Sequence, residues 1–151
     1  MNKLIRELKS KMSEFRSLCI DDPTKENKVN KIKEIINVAS DMFVENTHVY
    51  TAINDDESLI VWKEEDRKYI IMYTEPEMVG KEIRKFAEVD CRELFTFAFS
   101  KDNDVNGVIV NPEDKNTFCF EEWILSSVFY KGIGVDTLHI YSENSDEVID
   151  L

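Results

Sequence analysis

The stretch KDNDVNGVIVNPE, Lys101 to Glu113, fits two incompatible local structures. From its second residue it matches the calcium-loop pattern D-x-[DN]-x-[DN]-G-x5-E. The matching positions are Asp102, Asp104, Asn106, Gly107 and Glu113. Its second half, GVIVNP, is instead typical of a short buried strand that ends in a turn. The choice between the two decides whether this segment holds a metal ion or belongs to the core.

The residues that follow favour the strand. A calcium loop leads into a second helix, but PEDKN occupies residues 112–116, where that helix should begin. The chain also contains no second loop of this pattern, although such loops normally work in pairs. We therefore interpret residues 102–107 as a helix-to-strand turn and residues 108–112 as a core strand. Calcium binding by Asp102, Asp104, Asn106 and Glu113 is kept as an alternative.

Composition predicts one globular domain that uses neither nucleic acid nor a membrane. The 151 residues are 42% hydrophobic and 33% charged, with a net charge of -12. Residues 1–40 contain 9 basic and 6 acidic residues, whereas residues 41–151 contain 10 basic and 25 acidic residues. An acidic body of this kind repels phosphate backbones and anionic lipids, and it permits a basic protein partner.

Other features predict a cytoplasmic protein. No apolar run approaches the roughly 20 residues of a membrane-spanning helix, and the N-terminus alternates charged and apolar residues, unlike a signal peptide. The three cysteines are widely spaced among apolar residues, and we expect buried, reduced thiols. They are Cys19, Cys91 and Cys119.

Apolar spacing predicts two N-terminal helices. Leu4, Leu8 and Met12 recur at helical spacing in the first, and Ile32 and Ile36 do so in the second. Pro23 should separate them, since proline cannot continue a helix. Further helices are predicted at residues 74–86, 90–101 and 121–132, the middle one from a capping box formed by Asp90 and Glu93.

Segments rich in β-branched and aromatic residues predict the strands. They are THVYTAI, SLIVWK, RKYIIMYT, GVIVNP, TFCF and, near the end, VDTLHIY. SLIVWK and RKYIIMYT should form a hairpin around the four-residue connection EEDR. Their nearly continuous apolar runs indicate a sheet covered on both faces, or one with a helix layer on one face and aromatic residues on the other. The acidic SENSDEVIDL is expected to be a loose tail.

We therefore expect an α+β fold in a single domain. It comprises an N-terminal helical hairpin (residues 1–44) and a core (residues 45–131) with a mixed or antiparallel sheet of about five strands flanked by helices. A C-terminal strand and acidic tail (residues 132–151) complete it.

No motif for catalysis or for a cofactor stands out. With 4 glycines, the chain has neither a phosphate-binding loop nor a nucleophile elbow. His48 and His139 lie far apart without a cysteine or carboxylate at metal-ligand spacing, so we interpret both as half-buried structural residues. The sequence accordingly predicts a non-enzymatic protein without a cofactor.

The order of elements resembles a known family. YIIMYTEPEMVGK, a following helix with a Phe-rich end, and GVIVNPEDKNTFCFEEWI are similar to the SseB N-terminal domain (enhanced serine sensitivity family). The similar region covers roughly residues 47–131. It departs from the family at Tyr73, where Phe is usual, and at Glu113, where Gly commonly follows the Asn-Pro pair.

The resemblance implies a binding or regulatory module of bacterial origin and transfers no catalytic site. Some relatives serve as immunity proteins in toxin systems, and an acidic body suits the neutralisation of a basic toxin. We expect the partner surface near Tyr73, Thr74, Asn111 and Pro112, although Asn111 could equally cap the turn before Pro112. The alternatives are a small-molecule-binding or enzymatic domain, and a calcium-binding protein.

Overall fold

Two long helices form the N-terminal hairpin. A computed structural model describes residues 2–22, 24–135 and 137–150, so the predicted role of Pro23 lies outside the described residues. Helix α1 spans Lys3–Asp21 and α2 spans Lys25–Glu45. Asn2 caps α1 by accepting from the Leu4 N–H at 2.7 Å, and Thr24 caps α2. The predicted helical hairpin is confirmed.

Each of these helices buries one apolar stripe, and the two helices form ion pairs with each other. Leu8 of α1 and Ile35 and Met42 of α2 are fully buried. At the rim, Lys11 Nζ lies 3.1 Å from Glu34 Oε1, and Lys31 Nζ lies 3.3 Å from Glu14 Oε2. The stripe supplies most of the stability, since exposed ion pairs contribute less than about 1 kcal/mol each.

The central sheet has four strands in the order β2-β3-β5-β6. They are β2 (Val61–Glu64), β3 (Arg67–Met72), β5 (Gly107–Val110) and β6 (Phe118–Glu121). Strands β3 and β5 run parallel and the outer pairs antiparallel, so the sheet is mixed, as expected. The hairpin connection is tighter than expected, because only Glu65 and Asp66 separate β2 from β3.

Both faces of this sheet are covered, as the continuous apolar runs predicted. Ile70 and Met72 face the helices, whereas Tyr69 and Ile71 face a second, smaller core. Helix α3 (Cys91–Phe99) and helix α4 (Glu122–Gly132) pack with α2 on the first face. There Phe95 and Phe120 meet edge to face at 5.3 Å.

The prediction of a helix over residues 74–86 is wrong. Only Pro76–Met78 forms a single 3-10 turn, and Phe86–Asp90 forms strand β4. Strand β4 pairs antiparallel with β1 (His48–Ala52), and a bridge between Tyr50 and Tyr73 joins β1 to the end of β3. Backbone pairing with β1 outweighs the helical spacing of a segment that also contains Gly80.

The C-terminal segment is a strand pair rather than a strand and a loose tail. Strand β7 (Thr137–Tyr141) pairs antiparallel with β8 (Asp146–Asp150) in five registered pairs. At the turn, the Ser142 N–H donates to the Ser145 carbonyl at 2.9 Å, and the Ser142 Oγ donates to the same oxygen at 2.8 Å. Local polar bonds of this kind close the hairpin.

Three smaller expectations also need correction. Asp90 precedes α3, but its side chain makes no capping bond, so the helix forms without the predicted capping box. His48 and His139 are exposed rather than half-buried, and Cys19 is exposed. Cys91 is buried, and burial raises the pKa of its thiol to about 12. Among the described helices, none is long and apolar enough to cross a bilayer.

Candidate functional site

The four residues expected at a partner surface come together where two parallel strands end. Tyr73 and Thr74 follow β3, and Asn111 and Pro112 follow β5. Carboxyl ends of neighbouring parallel strands commonly position functional groups. The location was therefore a reasonable expectation.

Two of these residues, Asn111 and Thr74, are joined by a pair of buried hydrogen bonds, here called the Asn111 lock. Asn111 takes a left-handed backbone (φ 48°), and its amide holds Thr74 from two sides. Its Oδ1 accepts from the Thr74 N–H at 3.1 Å, and its Nδ2 donates to the Thr74 Oγ1 at 3.0 Å. Tyr73, Thr74 and Asn111 are at most 4% exposed, and Pro112 is half-buried. Because buried side chains cannot contact a partner directly, Asn111 here caps the turn and ties β5 to β3.

A polar cleft of about 480 Å³ lies beside this lock. It is lined by Asn2, Ile5, His48, Tyr50, Thr74, Glu75, Pro76 and Glu77. Lys9 of α1 reaches across to an ion pair with Glu75, whose carboxylate also accepts from the Thr74 hydroxyl at 3.2 Å. The pair neutralises Glu75, one of the two glutamates that line the cleft, and it anchors α1 to the end of β3.

His48 joins the paired strands β1 and β4 through two carboxylates. Its Nδ1 lies 2.7 Å from Glu88 Oε1, and its Nε2 lies 2.9 Å from Asp90 Oδ1. Both carboxylates favour the protonated ring, because each places a negative charge within ion-pair distance of a ring nitrogen. The hydrogen bond to Glu88 accordingly raises the pKa of His48 above its usual value.

Glu113, the last position of the calcium pattern, contacts a different part of the chain. Its carboxylate lies against Gly80, where a Cβ would approach both Glu113 oxygens to 2.7 Å. The neighbouring carboxylate of Glu82 shares a hydrogen bond with it and raises the pKa of Glu113. A Cβ at Gly80 would meet the flexible end of the Glu113 side chain, which can move aside.

The calcium pattern positions do not converge on one point. Asp104 lies 3.5 Å from the Lys68 Nζ, and the Asn106 Oδ1 accepts from the Lys68 N–H at 2.8 Å. Glu113 lies beyond the far end of β5, a strand that rises about 3.3 Å per residue. In the described ranges, no group of three or more His, Cys, Asp or Glu side chains is placed to hold a metal ion.

Gly107 allows close packing between strands β5 and β6, and it does not form the sharp turn of a calcium loop. A Cβ at this position would lie 2.1 Å from the Phe120 carbonyl oxygen of the paired strand β6. Only glycine permits this approach. The residue that best matched a metal loop is thus required by the sheet.

A larger cavity lies elsewhere, between α3 and α4. It measures about 710 Å³ and has an apolar floor that includes Phe99, Leu125 and Tyr130. The turn over residues 100–106 forms one wall, with Lys101 and Asn106 at the rim. Its volume is in the usual range for a small-molecule site.

Sequence reasoning missed two surface features. The His48 cluster went unnoticed because Glu88 and Asp90 were not recognised as part of a strand, and strand alternation in FAEVD was the available signal. The β7–β8 hairpin was missed because SENSDEVIDL reads as polar, although Val148 and Ile149 marked a short strand. Both errors concern pairing between strands.

Comparisons with protein-family models, curated proteins and solved structures find no match to this chain.

Proposed function

We propose that this chain is a non-catalytic binding domain whose partner is a basic protein. The observation that carries the proposal is the distribution of unneutralised charge. On the helical hairpin, Lys9, Lys11 and Lys31 are all engaged in ion pairs within the molecule. In contrast, residues 137–150 expose four carboxylates and contain no lysine or arginine. A surface of this kind attracts a cationic protein and accelerates its association.

The resemblance to the SseB N-terminal domain is part of the same proposal. The acidic body fits a binding or regulatory module. One form of such a module is an immunity protein against a basic toxin. The former candidate residues Tyr73, Thr74 and Asn111 then act indirectly, because the lock positions the surrounding loops.

The proposal is tested by capture from extracts of the native cell at low salt. The expected result is one basic protein, bound one-to-one by native mass spectrometry of the purified complex. Raising the salt from about 50 mM to about 500 mM should release it, because the Debye length falls from over 10 Å to about 4 Å.

An unrelated acidic protein of equal size and net charge serves as the control bait. A protein that both baits capture equally would reflect charge alone. That result, or the lack of any one-to-one partner, would overturn the proposal.

A second candidate function is supported by the cavity between α3 and α4. A small apolar molecule could bind among Phe99, Leu125 and Tyr130. Screening by ligand-detected NMR tests this, with Leu125→Phe as the variant that fills the cavity. Binding that survives the substitution would place the ligand elsewhere.

A further inference from the structure

The β7–β8 hairpin projects as an unsupported pair of strands. In the part of the chain that the structure describes, no other strand pairs with either of them, and the helices and strands of the body pack with one another rather than with the hairpin. Its described side chains are all exposed, with Tyr141 at 75% and Val148 at 60%. Both apolar side chains therefore lie in water.

Such a hairpin leaves two edges with free backbone groups. An isolated two-stranded hairpin is only marginally stable in water, and it gains stability when a third strand or a packed surface is added. Unpaired edge N–H and C=O groups are also the template for strand addition by another chain. A protein partner that supplies an extended segment would satisfy both needs.

The two edges differ in charge. Three of the five residues of β8 are acidic, namely Asp146, Glu147 and Asp150. Strand β7 contains no carboxylate, and its one titratable cation is His139. In the cross-strand register Tyr141 lies opposite Asp146, and His139 lies opposite Val148, so apolar and acidic groups share one face.

We infer that the β8 edge is the docking site for an extended, lysine- or arginine-bearing segment of the partner. The inference rests on the proposed function and names the surface that performs it. Backbone bonds to β8 would provide the pairing, and the three carboxylates would select a cationic strand. A second copy of this chain is a poor occupant of the same edge, since two β8 strands would bring six carboxylates together.

The experiment uses the full chain and a ten-residue peptide of alternating lysine and valine as the probe. Backbone amide shifts are followed by NMR, and affinity is measured by calorimetry. The expected result is that shifts concentrate at residues 146–150 and that the matching glutamate–valine peptide does not bind. Shifts centred on other acidic surfaces would overturn the inference while leaving the proposed function in place.

Two matched variants locate the interaction. The edge variant carries Asp146→Asn, Glu147→Gln and Asp150→Asn. The control variant removes the same charge from exposed turns, with Asp55→Asn, Glu65→Gln and Asp66→Asn. We expect the edge variant to weaken binding about ten-fold and the control variant less than about two-fold. Amide shifts over residues 2–135 that change only near the substituted positions would show that both variants keep the fold of the body.

The remaining outcomes are equally decisive. Equal loss in both variants would mean that net charge alone attracts the peptide, which overturns docking at β8. Failure of the wild-type chain to bind the peptide would also overturn docking at β8. The proposed function is tested separately, by the capture of a basic partner from the cell. A dimer through the hairpin in analytical ultracentrifugation would assign the edge to a second copy instead.

Discussion

The two hairpins at opposite ends of the chain are stabilised in different ways. The helical hairpin of α1 and α2 buries a continuous stripe that includes Leu8, Ile35 and Met42 against the sheet and the other helices. The β7–β8 hairpin is stabilised by its own ladder and its serine turn, and its described side chains are exposed. Because its apolar stripe is buried, the helical hairpin belongs to the core. The β7–β8 hairpin instead leaves apolar groups and strand edges exposed.

The comparison is tested most severely at two glycines. Gly107→Ala places a Cβ 2.1 Å from a backbone oxygen of β6, and we expect it to lower the free energy of unfolding by about 4 kcal/mol or to prevent folding. Gly134→Ala, just before β7, meets open space but has φ +90°, and it should cost about 1 kcal/mol. Urea denaturation followed by circular dichroism measures both. Equal losses would mean that the contact between Gly107 and β6 costs no more than the strain of a positive φ.

Cavity formation gives the next largest contrast. Leu8→Ala removes a fully buried side chain from α1, and the expected loss is about 3 kcal/mol. Val148→Ala removes a side chain that is already in water, and the expected change is within about 0.5 kcal/mol. Thermal and urea unfolding of both variants test the contrast. A loss of about 2 kcal/mol or more at Val148 would contradict the exposed position of the hairpin.

The Asn111 lock should have an intermediate effect. Asn111→Ala deletes two buried hydrogen bonds to Thr74 and leaves a non-glycine residue with a left-handed backbone, so we expect a loss of about 2 kcal/mol. Asn111→Gly is the control, because it relieves the backbone but still lacks the bonds. It should recover up to about 1 kcal/mol in the same unfolding experiment. If both variants were as stable as the wild-type chain, the hydrogen bonds between Asn111 and Thr74 would be dispensable.

Removing the β7–β8 hairpin should cost little. A chain that ends at Val135 is expected to keep the free energy of unfolding within about 1 kcal/mol of the full chain, because the body contributes the buried core. Hydrogen exchange should leave the protection of α2 and β5 unchanged. Loss of cooperative unfolding on truncation would mean that the hairpin is part of the same folding unit.

The smallest effect concerns the two histidines, His48 in strand β1 and His139 in strand β7. The folded-state pKa of His48 is raised by its bond to Glu88, so its stabilising contribution is fully present below the ordinary pKa of about 6.5 and is lost as the pH rises through the raised value. Glu88→Gln should lower the pH at which the His48 ring signal titrates by NMR. His139 in the C-terminal hairpin provides a reference signal in the same spectrum. An unshifted His48 titration in the variant would rule out the carboxylate bond.

Patterns within a segment predicted most of the fold. Helical spacing located α1 and α2, and the run Gly107–Val110 with its flanking polar turn located the central parallel strand. Helix α3 was predicted from a capping box that the structure does not form. The expected α+β class followed from these segments, whereas the mixed sheet was what the resemblance to the SseB N-terminal domain implied. Strand β4 was missed, since its partner β1 lies more than thirty positions earlier along the chain.

Thr74 and Asn111 were named from the sequence as part of a partner surface. The structure places them next to one another and buries both, and a motif within one segment does not reveal that burial. Likewise, the spacing of Asp102, Asp104 and Asn106 matched a metal loop, but Lys68 on another strand determines where two of these side chains point.

The sequence by itself determined the helical hairpin, the strand at residues 107–110 and the acidic body, because periodicity and charge are local properties. Only the tertiary structure decided that Gly107 is needed for contact with β6, that Asn111 faces inward, and that the acidic C-terminal segment pairs as an exposed hairpin. Each of these features depends on which distant segment of the chain lies next to the residue. The sequence of a single segment does not specify that neighbour.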